Sequence, residues 1–253
     1  MKSAAIGIFL LLPFLALGAA FAQTKEMTLP ATDIYELRIY CGAGSLYITN
    51  AEWQNSIRVF AEIEVEDKNS IESQVLSEKY VDLRIDRRGS RAILKSDLKR
   101  TFLNPVKAQI NLFIEIPKGV DLFIDDGSGP IHIQYFAGHL DIRDDSGRIM
   151  IEKVTGTVRV DDGSGKIIME DIQGDVEIKD GSGSIDINNV SGDLRVTDSS
   201  GTISIGYVDG YVTVTDESGE ININDVSGSV FIRGSGTGEL NIERVKGEVV
   251  IQN

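Results

Sequence analysis

The stretch GRIMIEKVT-GTVRVDDGS-GKIIMEDIQ, residues 147–173, is three nonapeptides, each opening on glycine and each carrying aliphatic residues two and four positions later. Glycine falls at every ninth residue from Gly129 to Gly228. After one inserted residue the series resumes at Gly238 and Gly247. The aliphatic pair runs from Ile131 and Ile133 to Val249 and Ile251, and every member is Ile, Leu, Val or Met. Period-two apolar residues read as strand, and a fixed repeat of short strands reads as a solenoid.

Alternate corners differ, so the true unit is a pair of nonapeptides. One corner is polar, as in Asp162-Gly163-Ser164 and Asp180-Gly181-Ser182. The other carries an apolar residue next to last: Phe136, Val154, Ile172, Val190, Val208, Val226, Val245. Each coil is then strand, apolar corner, strand, polar corner. Stacking coils in register pairs every residue with the one 18 later, in two parallel sheets about 10 Å apart. The outward files support that register. Asp141, Arg159, Glu177 and Arg195 alternate in sign, as do Arg143, Asp161 and Lys179, and apposed opposite charges favour pairing. The expected fold is all-β: a right-handed parallel β-solenoid of 18-residue coils over residues 119–253.

Upstream, residues 23–118 read as an irregular β-region. Strand-like alternation covers Tyr35–Ile39, Leu46–Ile48, Ile57–Val65, Val81–Ile85, Ala92–Lys95 and Ile110–Ile116. Asn69 with Glu72 resembles a capping box, and Ile71, Val75, Leu76 and Tyr80 share a helical face, so one short helix is expected at 69–79.

Residues 1–22 have Lys2, an apolar run Ala4–Leu17 and the small-residue end Ala20-Phe21-Ala22. That is a signal peptide with cleavage before Gln23. A stretch of about 20 apolar residues could also span a bilayer, but Pro13 and the small-residue end favour cleavage. Gln23 in place of cysteine excludes a lipoprotein signal. The mature chain is expected to be exported (periplasmic, cell-surface or secreted) with no membrane insertion.

Formal charge is -14, and removing Lys2 with the leader makes it -15, which argues against nucleic acid as a partner. Cys41, the single cysteine, has the parity of Leu37 and Ile39 and reads as a small core residue.

The aspartates 126, 144, 162, 180, 198 and 216 form a ladder with serines 128, 146, 164, 182, 200 and 218 beside it. Stacked ~4.8 Å apart, neighbouring carboxylates repel by about 0.9 kcal/mol even in water. Two accounts compensate this. Each of Asp126, Asp144, Asp162, Asp180, Asp198 and Asp216 can accept backbone N–H bonds from its own corner as an Asx-turn, which is the preferred account. Alternatively the ladder binds calcium through carboxylate oxygens. Calcium-binding nonapeptides carry several glycines per nine residues, against one per nine here. No other cofactor is indicated.

Catalysis is not expected. His132 and His139 are the only histidines, outward, nine apart and without an evident partner. There is no Cys/His metal cluster, nucleophile elbow or phosphate loop. The corners also keep one length, leaving no loop-built cleft. Ice binding fails too, because Arg195, Phe231 and Arg233 interrupt the threonine array at Thr213 and Thr215. Exposed apolar residues at Met150 and Ile168 on one face, and Phe231 and Val250 on the other, are candidate contacts, against the background that scattered surface apolars are normal.

The repeats from Leu122 to Ile251, with LFIEIPKGV at 112–120 and GSLYITNAEW at 44–53, resemble the bacterial "putative adhesin" domain family of unknown function. The resemblance covers about residues 32–253. It implies an exported β-solenoid with repeats of the form G-S-G-x-I-x-I-x-x-V-x-G, and the family motif carries no catalytic or ligand residues to transfer. Bactofilin-like polymers share the shape but are cytoplasmic, which the leader opposes. The expected function is a non-enzymatic adhesin-like scaffold or binding module whose partner is a protein or cell-envelope component. End-to-end self-association into a solenoid polymer and calcium loading are the alternatives.

Overall fold

A computed structural model describes residues 21–51, 55–65, 81–98, 108–235 and 238–252. The expected helix at 69–79 and nearly all of the leader lie outside these residues. The described residues form two eleven-stranded sheets and no helix.

In the repeats, chain order and spatial order agree. One sheet stacks β9 (Ile131–Gln134), β11 (Gly147–Thr155), β13 (Gly165–Gln173), β15 (Gly183–Val190), β17 (Gly201–Val208), β19 (Gly219–Val226) and β21 (Leu240–Val245). The other stacks β8 (Asp121–Asp126), β10 (Leu140–Asp144), β12 (Val158–Asp162), β14 (Val176–Asp180), β16 (Leu194–Asp198), β18 (Val212–Asp216), β20 (Val230–Ser235) and β22 (Val249–Gln252). All these pairs are parallel, and Ile149↔Ile167 and Val160↔Ile178 show the 18-residue register. The inserted residue is absorbed at a register shift between Val214 and Asp216, where Asp216 faces Ser235. Beyond it partners are 19 apart, as in Ile221↔Leu240. The parallel solenoid expected from the period is the observed fold.

Each apolar corner depends on one left-handed residue. Tyr135, Lys153, Asp171, Asn189, Tyr207, Asp225 and Arg244 all have positive φ, between 52° and 60°. A single αL residue breaks the in–out alternation, so the next side chain turns inward instead of outward. Phe136, Val154, Ile172, Val190, Val208 and Val226 are consequently buried, filling the space where the two sheets would otherwise part.

The first coil is not at the end of the stack. β2 (Glu36–Cys41) lies between β6 (Arg91–Leu98) and β8, and β3 (Leu46–Ala51) lies between β7 (Ala108–Pro117) and β9. All four contacts are parallel. The chain lays down one coil, departs, returns as β6 and β7 on one side of it, then crosses to build the repeats on the other. Antiparallel strands flank that far side: β4 (Ser56–Val65) against β7, β1 (Phe21–Pro30) against β4, and β5 (Val81–Arg88) against β6. A single cluster of buried apolar residues runs from Ile34 to Ile232 through both regions.

Candidate interaction face

Because side chains alternate along a strand, a register fixes which outward residues are neighbours. On the β9–β21 sheet, one outward file reads Phe60, Phe113, Tyr47, His132, Met150, Ile168, through the pairs Phe60↔Phe113, Tyr47↔Phe113, Tyr47↔His132, His132↔Met150 and Met150↔Ile168. Six adjacent strands thus carry a continuous stripe of aromatic and apolar groups. At about 4.8 Å per strand it is roughly 24 Å long. Ring contacts bind its upper half together: Tyr47 and Phe113 centroids are 6.0 Å apart, and Tyr47 meets His132 edge-on at 5.2 Å. Phe113 is 46% exposed and the others are half-buried.

Met150 and Ile168 therefore sit side by side, as the period implies, but they are only the lower third of a longer feature. Phe60, Phe113 and Tyr47 escape sequence reading because their neighbourhood depends on the displaced first coil. The expectation that His132 lacks a partner is corrected. Its Nε2 lies 2.8 Å from Glu152 Oε2 on the adjacent strand, a diagonal that parity allows once β9 and β11 are paired.

The stripe ends where the same file continues as Asp186, Ser204, Asn222 and Asn241. Its flanks are charged and differ. One side carries Glu115, Glu152 and Glu170, and the other carries Arg148 and Lys166. Lys166 Nζ reaches Asp186 at 2.5 Å.

The opposite sheet presents ion files instead. Arg159 donates to Glu177 at 2.7 Å. Phe231 and Val250 are register partners there, with the Tyr211 ring 6.5 Å from Phe231, a smaller apolar spot. Higher on this face the Arg38 and Arg143 guanidinium groups lie 5.1 and 5.4 Å from the Phe123 ring centre. Nearby, Tyr40, Arg84, Arg88, Lys95, Asp82 and Asp125 line a shallow cleft of mixed charge.

The aspartate ladder points inward. Asp126, Asp144, Asp162, Asp180, Asp198 and Asp216 are 1–6% exposed. They end the inward series of each strand, as in Leu140-x-Ile142-x-Asp144. In Asp162, Asp180, Asp198 and Asp216 one oxygen accepts the N–H of the serine two residues on, at 3.1–3.3 Å. In all six the Oδ2 atom is buried without a partner. Burial, reinforced by the next carboxylate in the ladder, pushes Asp144 up to about 7 and Asp162 and Asp180 to about 6. Burial also raises Asp126 and Asp198 to about 6, partly countered by hydrogen bonds. The column continues past Asp126 as Cys41 and Ser96, and burial pushes the Cys41 thiol up as well. Among the described residues no group of three or more His, Cys, Asp or Glu is arranged to hold a metal ion.

No curated protein matches the chain. Among solved structures it is similar to a "putative adhesin" from Parabacteroides distasonis, at 15% identity over 93% of this chain and 98% of that one, with a TM-score of 0.40. A "putative adhesin" from Bacteroides fragilis aligns at 12% identity over 92% and 97%, with a TM-score of 0.39. A "putative cell adhesion protein" from Clostridium sporogenes aligns at 9% over 91% and 99%, with a TM-score of 0.35. The pattern of the family described as Toastrack DUF4097 matches residues 34–231, which takes in the displaced first coil and most of the repeats. The chain belongs to the Toastrack DUF4097 family.

Proposed function

We propose that this protein is an exported, non-enzymatic binding scaffold of the cell envelope or cell surface, and that the Phe60–Ile168 stripe is its contact surface. The stripe carries the reading. The largest contiguous apolar patch on a protein surface is often its interaction site. The solenoid holds its six side chains on a rigid sheet, so little conformational entropy is lost on binding. Export is supported by the leader-like residues 1–22. Among the described residues no helix is long and apolar enough to cross a membrane.

The test is binding by the purified chain to envelope components immobilised on a sensor. Met150→Asp with Ile168→Asp should abolish capture. The new carboxylates stand beside each other and Asp186, so the melting temperature should fall by a few degrees while circular dichroism still shows the folded sheet. Unchanged capture would sink the reading.

A second reading rests on a separate observation. Val249 and Ile251 occupy inward positions of the repeat yet are 45% and 50% exposed. Apolar core positions exposed along β22 favour end-to-end pairing with another solenoid. Filaments in electron micrographs, lost on Ile251→Lys, would support it.

A further inference from the structure

We infer that the occupant of the stripe is a second copy of this chain, docked face to face about a two-fold axis that runs along the stripe. The inference rests on the reading of the stripe as a contact surface and names its partner.

The residues on either side of the stripe point to this occupant. Each strand contributes a trio of outward residues, with the stripe residue in the middle. On β11 the trio is Arg148, Met150, Glu152, and on β13 it is Lys166, Ile168, Glu170. The two trios are in register, so the bases lie on one side and the acids on the other. On β4, which runs the opposite way, the trio is Arg58, Phe60, Glu62. Arg58 stands beside Glu115 and Glu62 beside Asn111.

A two-fold axis along the stripe exchanges the two sides without moving anything along the stack. Each strand then meets its own equivalent in the partner, and the two flanks swap. Glu152 faces Arg148 of the second copy, Glu170 faces Lys166, and Arg58 faces Glu62. The remaining strands oppose Glu115 to Asn111, Thr49 to Ser45 and Gln134 to Pro130. No like charges meet on any of the six strands, and three opposite-charge pairs form, each twice by symmetry. On the strands just beyond, Glu26 and Asp186 each meet their own counterpart on the axis, and each is already ion-paired within its own chain, to Arg58 and Lys166. Two-fold interfaces require this self-complementarity.

The other simple arrangement has the axis across the stripe. It sets Arg58 against Glu170 and Glu62 against Lys166 of the second copy, each twice. It also sets Glu115 against Glu152 and Glu26 against Asp186, each twice, and those like-charge contacts cancel the gain. Charge placement thus selects the axis along the stripe.

Along that axis the central side chains stack on their own counterparts: Met150 on Met150, Ile168 on Ile168, Phe113 on Phe113. The covered patch is roughly 24 Å by 17–20 Å, or about 800–1,000 Å² summed over both copies, which falls in the weak and reversible class. A closed pair of this kind would form where the chain is concentrated and come apart on dilution. It is distinct from filament growth through β22.

The experiment is sedimentation equilibrium of the mature chain from Gln23 onward at ~100 µM with two charge-block variants. The acidic variant carries Arg148→Glu and Lys166→Glu, and the basic variant carries Glu152→Arg and Glu170→Arg. Wild type should be substantially dimeric. Each variant alone should self-associate on the order of 10-fold more weakly, because like charges then oppose. An equimolar mixture of the two should dimerise again, since acidic flanks then face basic ones. Restoration in the mixture cannot come from refolding of either variant, and circular dichroism of each confirms the fold. Monomeric wild type at that concentration, or a mixture that stays monomeric beside a dimeric wild type, overturns the proposal. Monomeric wild type whose envelope capture is still lost on Met150→Asp with Ile168→Asp would overturn only the second-copy assignment and leave the stripe as a contact surface.

Discussion

Asp162 is stacked directly beneath Asp180 as its register partner, and each holds one carboxylate oxygen inside the solenoid where no donor meets it. Burial and mutual repulsion both favour the protonated form. The pH dependence follows. The folded pKa values of about 6 to 7 stand above the unfolded value near 3.8. Between those limits the native chain binds more protons than the unfolded one, so its stability falls as pH rises. The contribution is complete below about pH 4 and lost through pH 6–7. Thermal melts should show a melting temperature higher at pH 5 than at pH 8 by several degrees. A flat or rising profile over that range would refute the buried, proton-holding ladder.

Replacing one rung isolates the effect. Asp198→Asn keeps an acceptor for the Ser200 N–H, seen at 3.1 Å, and replaces a charge by a donor that can reach the neighbouring carboxylate. The variant should melt higher than wild type at pH 8, and the gain should shrink or vanish at pH 5. Loss of stability at both pH values would mean that the charged ladder has a partner.

Gly183 has φ of 145°, and a methyl group there would lie 1.7 Å from the carbonyl oxygen of Gly165 on the preceding coil. The obstacle is backbone, so it cannot move aside without separating coils. Gly183→Ala should cost more than about 4 kcal/mol or prevent folding, at the extreme of single substitutions. Gly89, with nothing within 4 Å, should accept Asn at a cost below ~1 kcal/mol, since Asn tolerates the left-handed region. Chemical denaturation of both variants checks the contrast.

Ile187 is 3% exposed in the middle of the stack, while Asp186 beside it faces water and pairs with Lys166. Ile187→Ala should destabilise by about 2–5 kcal/mol. Asp186→Ala should stay within ~1 kcal/mol, because exposed ion pairs contribute little. Equal costs would contradict the two-sheet interior.

Tyr207 is 61% exposed and sits at φ 55°. A non-glycine residue held there costs roughly 1–2 kcal/mol. Tyr207→Gly should therefore be neutral or stabilising in the same denaturation assay, although glycine within a strand usually weakens it.

The repeat region was readable because its information is local. Ile149 predicts its partner Ile167 by counting two nonapeptides, and the insertion before Gly238 predicts a register shift. The inward turn of Asp144 was also available in the parity of Leu140-x-Ile142-x-Asp144, but tight polar corners invite a solvated reading. The neighbours of Tyr47 were not readable. Its strand partners Phe113 and His132 both lie far along the chain, and no periodicity specifies that a strand pair will be enclosed by chain made later. The contact stripe inherits that opacity: its Met150–Ile168 end follows from the period and its aromatic end from topology alone.

The enclosed position of β2 and β3 also bears on how the molecule is made. Leu37 must wait for Ala92 on one side and Leu122 on the other, whereas each repeat strand finds its partner one coil later. Closing the longer loop costs about 1–1.5 kcal/mol more in chain entropy. The turn synthesised earliest is thus the last to be secured, and assembly should begin in the middle of the polypeptide and finish at its head.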